Sequence, residues 1–443
     1  MITRTNQTPA RKSCFKLIAG LFLCLAVLQA RAQQPVVLSL DSAVHFALDH
    51  NKSLVNSKYA IEKVRQQIRE NVAQGLPQID ASLDYTSYLG AEASIQFDPS
   101  APPTVIEFVP TSNFQASVSQ LIFNGNYWVG LQMLKIARSM TEQNYERDAL
   151  NVKEQVTQAY YLILASERIL SIIRDNKANA EVIYEKTTNL ANAGILEETD
   201  AKKLSVMLSS VDNAMKSTER QVEVGYNLLR LQLGLESDQE IVLSTTLDEI
   251  VSRRITQRKP VAAFNINNNL DFKLDSIRGQ MAKKQVSMQW ANYLPTLVAY
   301  YSRTEKLKEP LFDMTPKNVL GFSLNIPVFS GGERLAKVKQ AKIDYKVTQN
   351  TRELLKEQLS LQERQYRYNY NNLLEQYASQ KANVEIAREV LDKMNFKLQQ
   401  GVVSSLEITS ANNDYLTAEN AFTGVILQLL NAELSLRKIN NEL

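Results

Sequence analysis

The chain has 443 residues, of which only 14 are glycine and 12 are proline. So few residues that interrupt helices favour long continuous elements, most of them helical. The sequence has two histidines and two cysteines, and no phosphate loop, HExxH pattern, nucleotide fingerprint or Ser–His–Asp order. We therefore assign no catalytic, cofactor-binding or metal-binding residue and expect no enzyme.

Residues 1–32 have the order of a secretory signal peptide. Basic residues precede the apolar run 17–28, and Ala30-Arg31-Ala32 is a small-residue cleavage motif, so the mature chain is expected to start at Gln33. Both cysteines lie in the segment to be removed, which leaves no thiol. That segment holds five basic residues and no acidic ones, so the formal net charge changes from +3 to −2. No basic block remains to indicate nucleic acid as a partner.

After the signal peptide, no stretch of 18 or more apolar residues predicts a transmembrane helix. Two possibilities stay open at this point. One is a periplasmic protein, and the other is a β-barrel, whose alternating strands leave a weak hydropathy signal.

The mature sequence reads as two structural repeats, 33–235 and 267–443, joined by a mixed segment at 236–266. Three features recur in the same order: a Leu-Pro pair, a Phe-Asn-Gly or Phe-Ser-Gly turn, and a later glycine. They are Leu76-Pro77 and Leu294-Pro295, Phe123–Gly125 and Phe329–Gly331, and Gly194 and Gly401.

In the first repeat, a helical segment leads into strands predicted at about 77–90 and 112–123, on either side of a polar loop, Gly90–Pro110. Ile79 and Leu83 alternate with Asp80 and Asp84, the period of a strand with one apolar face. A long helix at 125–192 and a return helix at 199–233 follow.

The second repeat has the same order, with a helix, strands at about 294–304 and 318–327, a long helix at 332–400 and a return helix at 406–441. The strand at 294–304 alternates poorly, and its prediction depends on the repeat. Strands of about 10 residues cross a bilayer when tilted. Each long helix would extend roughly 100 Å, too far to bury its apolar stripe alone, so we expect it to pack on its return helix and on other subunits.

Four membrane-length strands per chain leave two open sheet edges, which cannot face lipid. Two chains would supply eight strands and three would supply twelve. Because an eight-stranded barrel is filled by side chains whereas larger ones can hold water, a trimer is moderately favoured over a dimer.

The order of these elements resembles the TolC-like outer-membrane efflux family over nearly the whole mature chain. The likeness is carried by Ser39–Val44, the two Leu-Pro pairs, the turn Pro327–Gly332 and the two glycine hairpins. It implies an α+β membrane protein: a trimeric 12-stranded β-barrel, four strands per chain, that continues into a long periplasmic α-helical barrel.

The same resemblance implies an exit duct in the cell outer membrane, with a periplasmic extension, that passively conducts substrates in a tripartite efflux or type I secretion system. The implied partners are two further copies (a homotrimer), a periplasmic adaptor or membrane fusion protein, an inner-membrane pump and outer-membrane lipid. The alternative is a periplasmic coiled-coil adaptor or scaffold protein without a barrel. The cargo stays open.

The resemblance also implies where the functional site lies, because the hairpin tips of proteins in this family close the tunnel and contact the adaptor. The matching tip residues are Gly194, Ile195, Leu196, Gly401, Val402 and Val403. Glycine also ends helices without any docking role.

Six residues past each tip glycine stands a carboxylate, Asp200 or Glu407, and both are candidates for a periplasmic gate. Ser410 occupies the family's second acidic gate position, so the ring of acids is incomplete. Helix capping and interaction with the helix dipole are the alternative for both carboxylates.

Overall fold

A computed structural model describes residues 35–96, 100, 102–256, 262–308, 315–400 and 402–443. The predicted signal peptide, 1–32, and the tip glycine Gly401 lie outside these residues. The helices are α1 (Leu40–His50), α2 (Lys52–Ala73), α3 (Gly125–Asn192), α4 (Glu198–Leu233), α5 (Leu247–Val251), α6 (Leu270–Ala291), α7 (Glu333–Gln399) and α8 (Ser405–Ile439). The strands are β1 (Val36–Leu38), β2 (Gln78–Thr86), β3 (Glu92–Ile95), β4 (Thr104–Glu107), β5 (Thr111–Asn124), β6 (Ile241–Leu243), β7 (Thr296–Lys308) and β8 (Asn318–Asn325).

The described residues divide into two compact units, each assembled from three stretches of the chain. The sheet-bearing unit draws on the described residues of 52–154, 262–378 and 428–443, and the tip-bearing unit draws on those of 35–51, 155–256 and 379–427. Each sequence repeat contributes to both units.

The sheet-bearing unit is built on a four-stranded antiparallel sheet in the order β2-β5-β7-β8. Its register places apolar residues opposite apolar ones and polar residues opposite polar ones. Ile79 lies opposite Val118, and Asp80 lies opposite Ser117. One row crosses the whole sheet from Ile79 and Val118 to Tyr301 and Leu320. The sheet therefore has one apolar and one polar face, as the period of two predicts.

The apolar face of this sheet is open within the chain. On the edge strands, Ile79 is 76% exposed, and Leu320 and Phe322 are 74% and 72% exposed. Among the described residues, β2 and β8 each have a strand partner on one side only. Both the face and the two edges thus remain available to surroundings outside this chain.

The two long helices carry the buried stripes that their spacing predicts. On α3, Val152, Val156 and Ile163 are buried, and Tyr160 is buried with them. On α7, Tyr370 and Leu373 are buried, whereas Tyr366 and Tyr377 are only half-buried. No helix among the described residues has both the length and the apolar character needed to cross a membrane.

Three local features differ from the sequence prediction. The polar loop after β2 contains a hairpin, β3 with β4, and the rings of Tyr88 and Phe108 beside it lie 5.3 Å apart between centroids in a tilted arrangement. Strand β2 ends at Thr86, earlier than predicted, and Leu89 and Gly90 just beyond it take positive φ angles of 54° and 77°. The first helical segment breaks at Asn51, which donates from Nδ2 to the Gln232 carbonyl at 2.7 Å.

The mixed segment at 236–266 also forms more structure than its composition suggests. Strand β6 pairs in parallel with β1, so Leu38 lies opposite Leu243. The buried Tyr160 donates its hydroxyl to the Leu38 carbonyl at 3.1 Å. Helix α5 follows, with a capping box formed by Thr246 and Glu249.

Candidate functional site

The first hairpin tip joins α3 to α4 through a glycine turn. Gly194 has a φ of 75°, a conformation that suits glycine, and nothing stands within 4 Å of an added Cβ. The N–H groups of Ile195 and Leu196 both donate to the Leu190 carbonyl, at 3.0 and 3.4 Å, which closes the last turn of α3. Ile195 is 68% exposed and Leu196 is 37% exposed, so the tip presents apolar side chains to its surroundings.

The second tip joins α7 to α8. The N–H groups of Gln400 and Val402 both donate to the Lys397 carbonyl at 3.1 Å. Val402 is exposed and Val403 is half-buried. Each tip thus has an exposed branched side chain, Ile195 or Val402, just after the predicted glycine position.

Glu407 is part of a capping box at the start of α8. The Ser404 N–H and hydroxyl donate to Glu407 Oε2 at 2.9 and 3.0 Å, and the Glu407 N–H returns to Ser404 Oγ at 3.4 Å. The backbone hydrogen bond from Ser404, followed by its hydroxyl, lowers the pKa of Glu407 below the ordinary glutamate range. This geometry fits the capping alternative that the sequence left open. The pattern Ser-x-x-Glu at 404–407 is its signal in the sequence.

Asp200 lies in the first turn of α4, whose N-terminal cap residue, Glu197, makes no capping bond through its side chain. The Asp200 N–H donates to the Glu197 carbonyl at 3.0 Å. The Asp200 side chain lies 3.7 Å from the Lys203 ammonium group. This carboxylate is therefore placed to interact with the helix dipole and is not held by a cap.

Polar pairs behind the tips hold the helices of this unit together. Asn176 of α3 and Asn412 of α8 form a reciprocal amide pair, in which Asn412 Nδ2 donates to Asn176 Oδ1 at 2.9 Å. Sequence reasoning missed this pair because a single asparagine on a long helix gives no signal of its partner.

A second pair joins α3 to α4, where Lys177 donates to Asp212 at 2.6 Å. Hydrogen bonds from Lys177 and then Lys216 lower the Asp212 pKa to about 2.

Among the described residues, no group of three or more histidine, cysteine, aspartate and glutamate side chains has the arrangement of a metal site. The tips instead offer surface turns, exposed apolar side chains and carboxylates at helix starts. An amphipathic sheet with two open edges, together with two long helical hairpins that end in such turns, defines the class of outer-membrane channel subunits.

Comparison with known proteins agrees with that class. Residues 43–235 and 265–442 match the family described as "Outer membrane efflux protein". The chain is 22% identical over 425 residues to the outer membrane protein TolC of Escherichia coli, covering 88% of this chain and 80% of that protein.

Solved structures show the same fold. The CusC structure has a TM-score of 0.71 at 15% identity and covers 90% of this chain and 91% of its own. The outer-membrane channel CmeC of Campylobacter jejuni has a TM-score of 0.70 at 16% identity, with coverage of 91% and 85%.

The chain belongs to the outer membrane efflux protein family. It is an outer-membrane protein and serves as the exit duct of an efflux or secretion system. This family is one of transport channels and not one of enzymes.

Proposed function

We propose that three copies of this chain close a 12-stranded β-barrel that continues into a periplasmic tunnel of helices. Each copy, built from the two sequence repeats, supplies the sheet β2-β5-β7-β8. The β2 edge of one copy pairs with the β8 edge of the next. The polar face then lines a water-filled pore and the apolar face meets lipid.

The main support for this proposal is the two open edges of the sheet. Backbone N–H and C=O groups at an edge cannot be left unpaired in hydrocarbon, since each costs several kcal/mol. The most exposed large apolar side chains on the same strands lie on one face, with Ile79 and Phe322 as examples. Closure by further copies pairs both edges and leaves the apolar face toward lipid.

Disulfide cross-linking tests this closure, because the mature chain is expected to contain no cysteine. Ser82→Cys on β2 is combined in turn with Val319→Cys, Gly321→Cys and Ser323→Cys on β8. At least one combination should give covalent dimers and trimers on a non-reducing gel of outer membranes. The matched control, Ser82→Cys with Ser302→Cys on the central strand β7, should give none. Absence of a ladder from every β2–β8 combination would reject the closure.

The partners of this duct are a periplasmic adaptor and an inner-membrane pump, and the adaptor docks at the hairpin tips. Support comes from the exposed apolar residues Ile195 and Val402 on the two turns. Such side chains at the end of a helical hairpin suit contact with another protein. Leu196, Val403 and the tip glycines Gly194 and Gly401 complete the docking candidates.

The gate is a ring formed by three copies of Glu407, with Asp200 as the second candidate. Both carboxylates stand at the beginning of a helix just past a tip turn. Converging carboxylates would attract cations at a narrow mouth, as charged rings do in other channels. For Glu407 this role adds to the cap that it forms with Ser404.

A further inference from the structure

A groove on the tip-bearing unit lies between three of its helices, α3, α4 and α8, and has a volume of about 380 Å³. That volume falls within the range of small-ligand sites in proteins. Helix α3 contributes Ala165 and Ser166, α4 contributes Gln221, and α8 contributes Thr423 and Gly424. Among the described residues, no charged side chain lines this groove. Its surface is thus made of small, aliphatic and uncharged polar side chains.

The hydroxyl of Thr423 is buried at the base of this groove without a hydrogen bond. Thr423 is 0% exposed, and its Oγ1 has no partner among the described residues. A threonine inside a helix commonly donates to the carbonyl four residues earlier, as Thr218 of the same groove does to Ala214 at 3 Å or less, 2.9 Å. A buried hydroxyl without a partner costs free energy. The groove therefore contains a polar group that a bound molecule can satisfy.

Further uncharged polar groups line the groove together with Thr423. Ser166 is buried, whereas Gln221 and Asn420 are exposed. Hydroxyl and amide side chains can both donate and accept hydrogen bonds. Gly424 leaves open space in the groove, since an added Cβ there meets nothing within 4 Å. The groove thus offers donors and acceptors at two depths around a space that side chains leave free.

The chemistry of the groove disfavours two kinds of occupant. An ion needs an opposite charge, which the described residues of the groove do not supply. A protein partner needs exposed large apolar or aromatic anchors, and the large aliphatic side chains here, Leu162, Ile169 and Leu427, are all half-buried. An uncharged molecule with several hydroxyl groups and apolar C–H faces matches what the groove offers. That is the chemistry of a saccharide.

We propose that this groove binds a neutral saccharide, with Thr423 and Ser166 hydrogen-bonded to its hydroxyl groups and with Gln221 and Asn420 contacting its outer edge. Two sources can supply this chemistry. One is the glycan of the cell wall, which lies in the periplasm, and the other is a soluble saccharide. The residues of the groove belong neither to the four-stranded sheet nor to the tips, so the site is independent of the barrel closure and of the gate.

Calorimetric titration of the full-length protein with the tetramer of N-acetylglucosamine, a neutral saccharide, tests the site. The detergent must lack a sugar headgroup, because such a headgroup would compete. Gly424→Met fills the groove from a helical position, where methionine is more favourable than glycine. Gly279→Met on α6 is the matched control, because an added Cβ meets nothing within 4 Å there either. We expect the tetramer to bind the wild type and Gly279→Met equally and to lose its binding in Gly424→Met.

A second pair of variants isolates the buried hydroxyl. Thr423→Val removes it at nearly constant shape, and Thr188→Val removes another unpartnered hydroxyl, on α3 outside the groove. Thr423→Val should weaken binding about 2- to 10-fold, the effect of one hydrogen bond, and Thr188→Val should leave it unchanged. Equal affinity in Thr423→Val and the wild type would overturn the hydrogen bond assigned to Thr423. No binding by the wild type, or equal binding by Gly424→Met, would overturn the site itself.

Sedimentation with purified cell-wall sacculi separates the two sources of saccharide. Wild-type protein that pellets with the sacculi, in a manner that Gly424→Met abolishes and Gly279→Met preserves, identifies the cell-wall glycan as the ligand. Wild-type protein that binds the tetramer but stays in the supernatant identifies a soluble saccharide. Pelleting that is equal in all three proteins, without binding of the tetramer, would place any contact with the wall outside the groove and would overturn the proposal.

Discussion

At the residue scale, the cap that Glu407 forms on α8 can be separated by substitution from the gate role that we propose for its charge. Glu407→Gln removes the charge but keeps an oxygen that can accept from Ser404, since Gln also serves in a capping box. Ser404→Ala removes the capping hydroxyl but keeps the charge. We expect Glu407→Gln to lower cation selectivity in planar-bilayer recordings and Ser404→Ala to leave it unchanged.

Hydrogen exchange of the first turn of α8 completes that comparison. Ser404→Ala should speed exchange of the amides there, whereas Glu407→Gln should change it little. Unchanged selectivity in Glu407→Gln would mean that this carboxylate caps α8 and has no role in the gate. A loss of selectivity in Ser404→Ala would mean that the geometry of the turn, and not the charge, sets the cation selectivity.

The cap should also respond to acid. Hydrogen bonds from Ser404 lower the pKa of Glu407 in the folded protein, so the carboxylate stabilises the turn above the unfolded pKa, about 4.3. That contribution is lost as the pH falls through the lower, folded value. The protection factors of the amides at 405–408, which correct for the pH dependence of intrinsic exchange, should therefore fall as the wild type is acidified below about pH 4.3. Ser404→Ala should show less of this dependence, and an identical pH profile would contradict the assigned cause.

Two substitutions at the first tip separate the effect of its backbone conformation from that of its exposed apolar side chain. Gly194→Asn should preserve the turn, because asparagine tolerates positive φ, whereas Ile195→Asp keeps the glycine but removes the apolar contact. We expect export of pump substrates to survive Gly194→Asn and to fall in Ile195→Asp, with trimer levels unchanged in both. Substrate accumulation in cells lacking the wild-type gene is the measurement. Normal export by Ile195→Asp would leave the docking role unsupported.

Two glycines with the same backbone conformation give a matched pair at the scale of elements. Gly194 and Gly234 have φ angles of 75° and 72°, but an added Cβ meets nothing within 4 Å at Gly194, whereas at Gly234 it overlaps the His50 carbonyl oxygen. Gly194→Ala should cost about 1–2 kcal/mol for the left-handed backbone alone. Gly234→Ala should cost about 1–3 kcal/mol more, because a backbone atom must move.

The midpoint of thermal loss of helical circular dichroism in detergent measures this difference. Gly234→Ala should melt below Gly194→Ala, because its strain falls where α4 ends against the break between α1 and α2. Equal midpoints would show that the contact with His50 relaxes without cost.

Elements with a period in their sequence were predictable, and elements that depend on distant partners were not. The alternation at Ile79–Asp84 was enough to orient β2, and the scarcity of breakers was enough to outline α3 and α7. Strand β1 has only three residues and becomes a strand by pairing with β6, about 200 residues away. The hairpin β3–β4 lies in sequence rich in polar residues and proline, where turn signals hide short strands.

In the candidate site, too, local features were predictable from the sequence and contacts between distant residues were not. The tip glycines and the Ser404–Glu407 pattern are local signals, so the sequence alone indicated where the helices turn. The reciprocal pair of Asn176 and Asn412 joins helices far apart in the chain and could not be foreseen. Whether the carboxylates form a gate depends on a threefold assembly, which one chain does not contain.

At the scale of the whole molecule, orientation in the membrane follows from which end of the sheet carries the loops. The described residues between β2 and β5, and those between β7 and β8, lie at the strand ends opposite the helices, and longer loops face outward in outer-membrane barrels. These connections belong to the segments predicted as loops, 90–110 and 306–316, although β7 continues into the second as far as Lys308. An epitope tag in either segment should therefore bind antibody on intact cells. The matched control is a tag at Ser237-Asp238, an exposed turn after α4, which should bind only after the outer membrane is opened. Binding at Ser237-Asp238 on intact cells, with the loop tags silent, would require the opposite orientation and would place the hairpin tips outside the periplasm, where no inner-membrane pump could reach them.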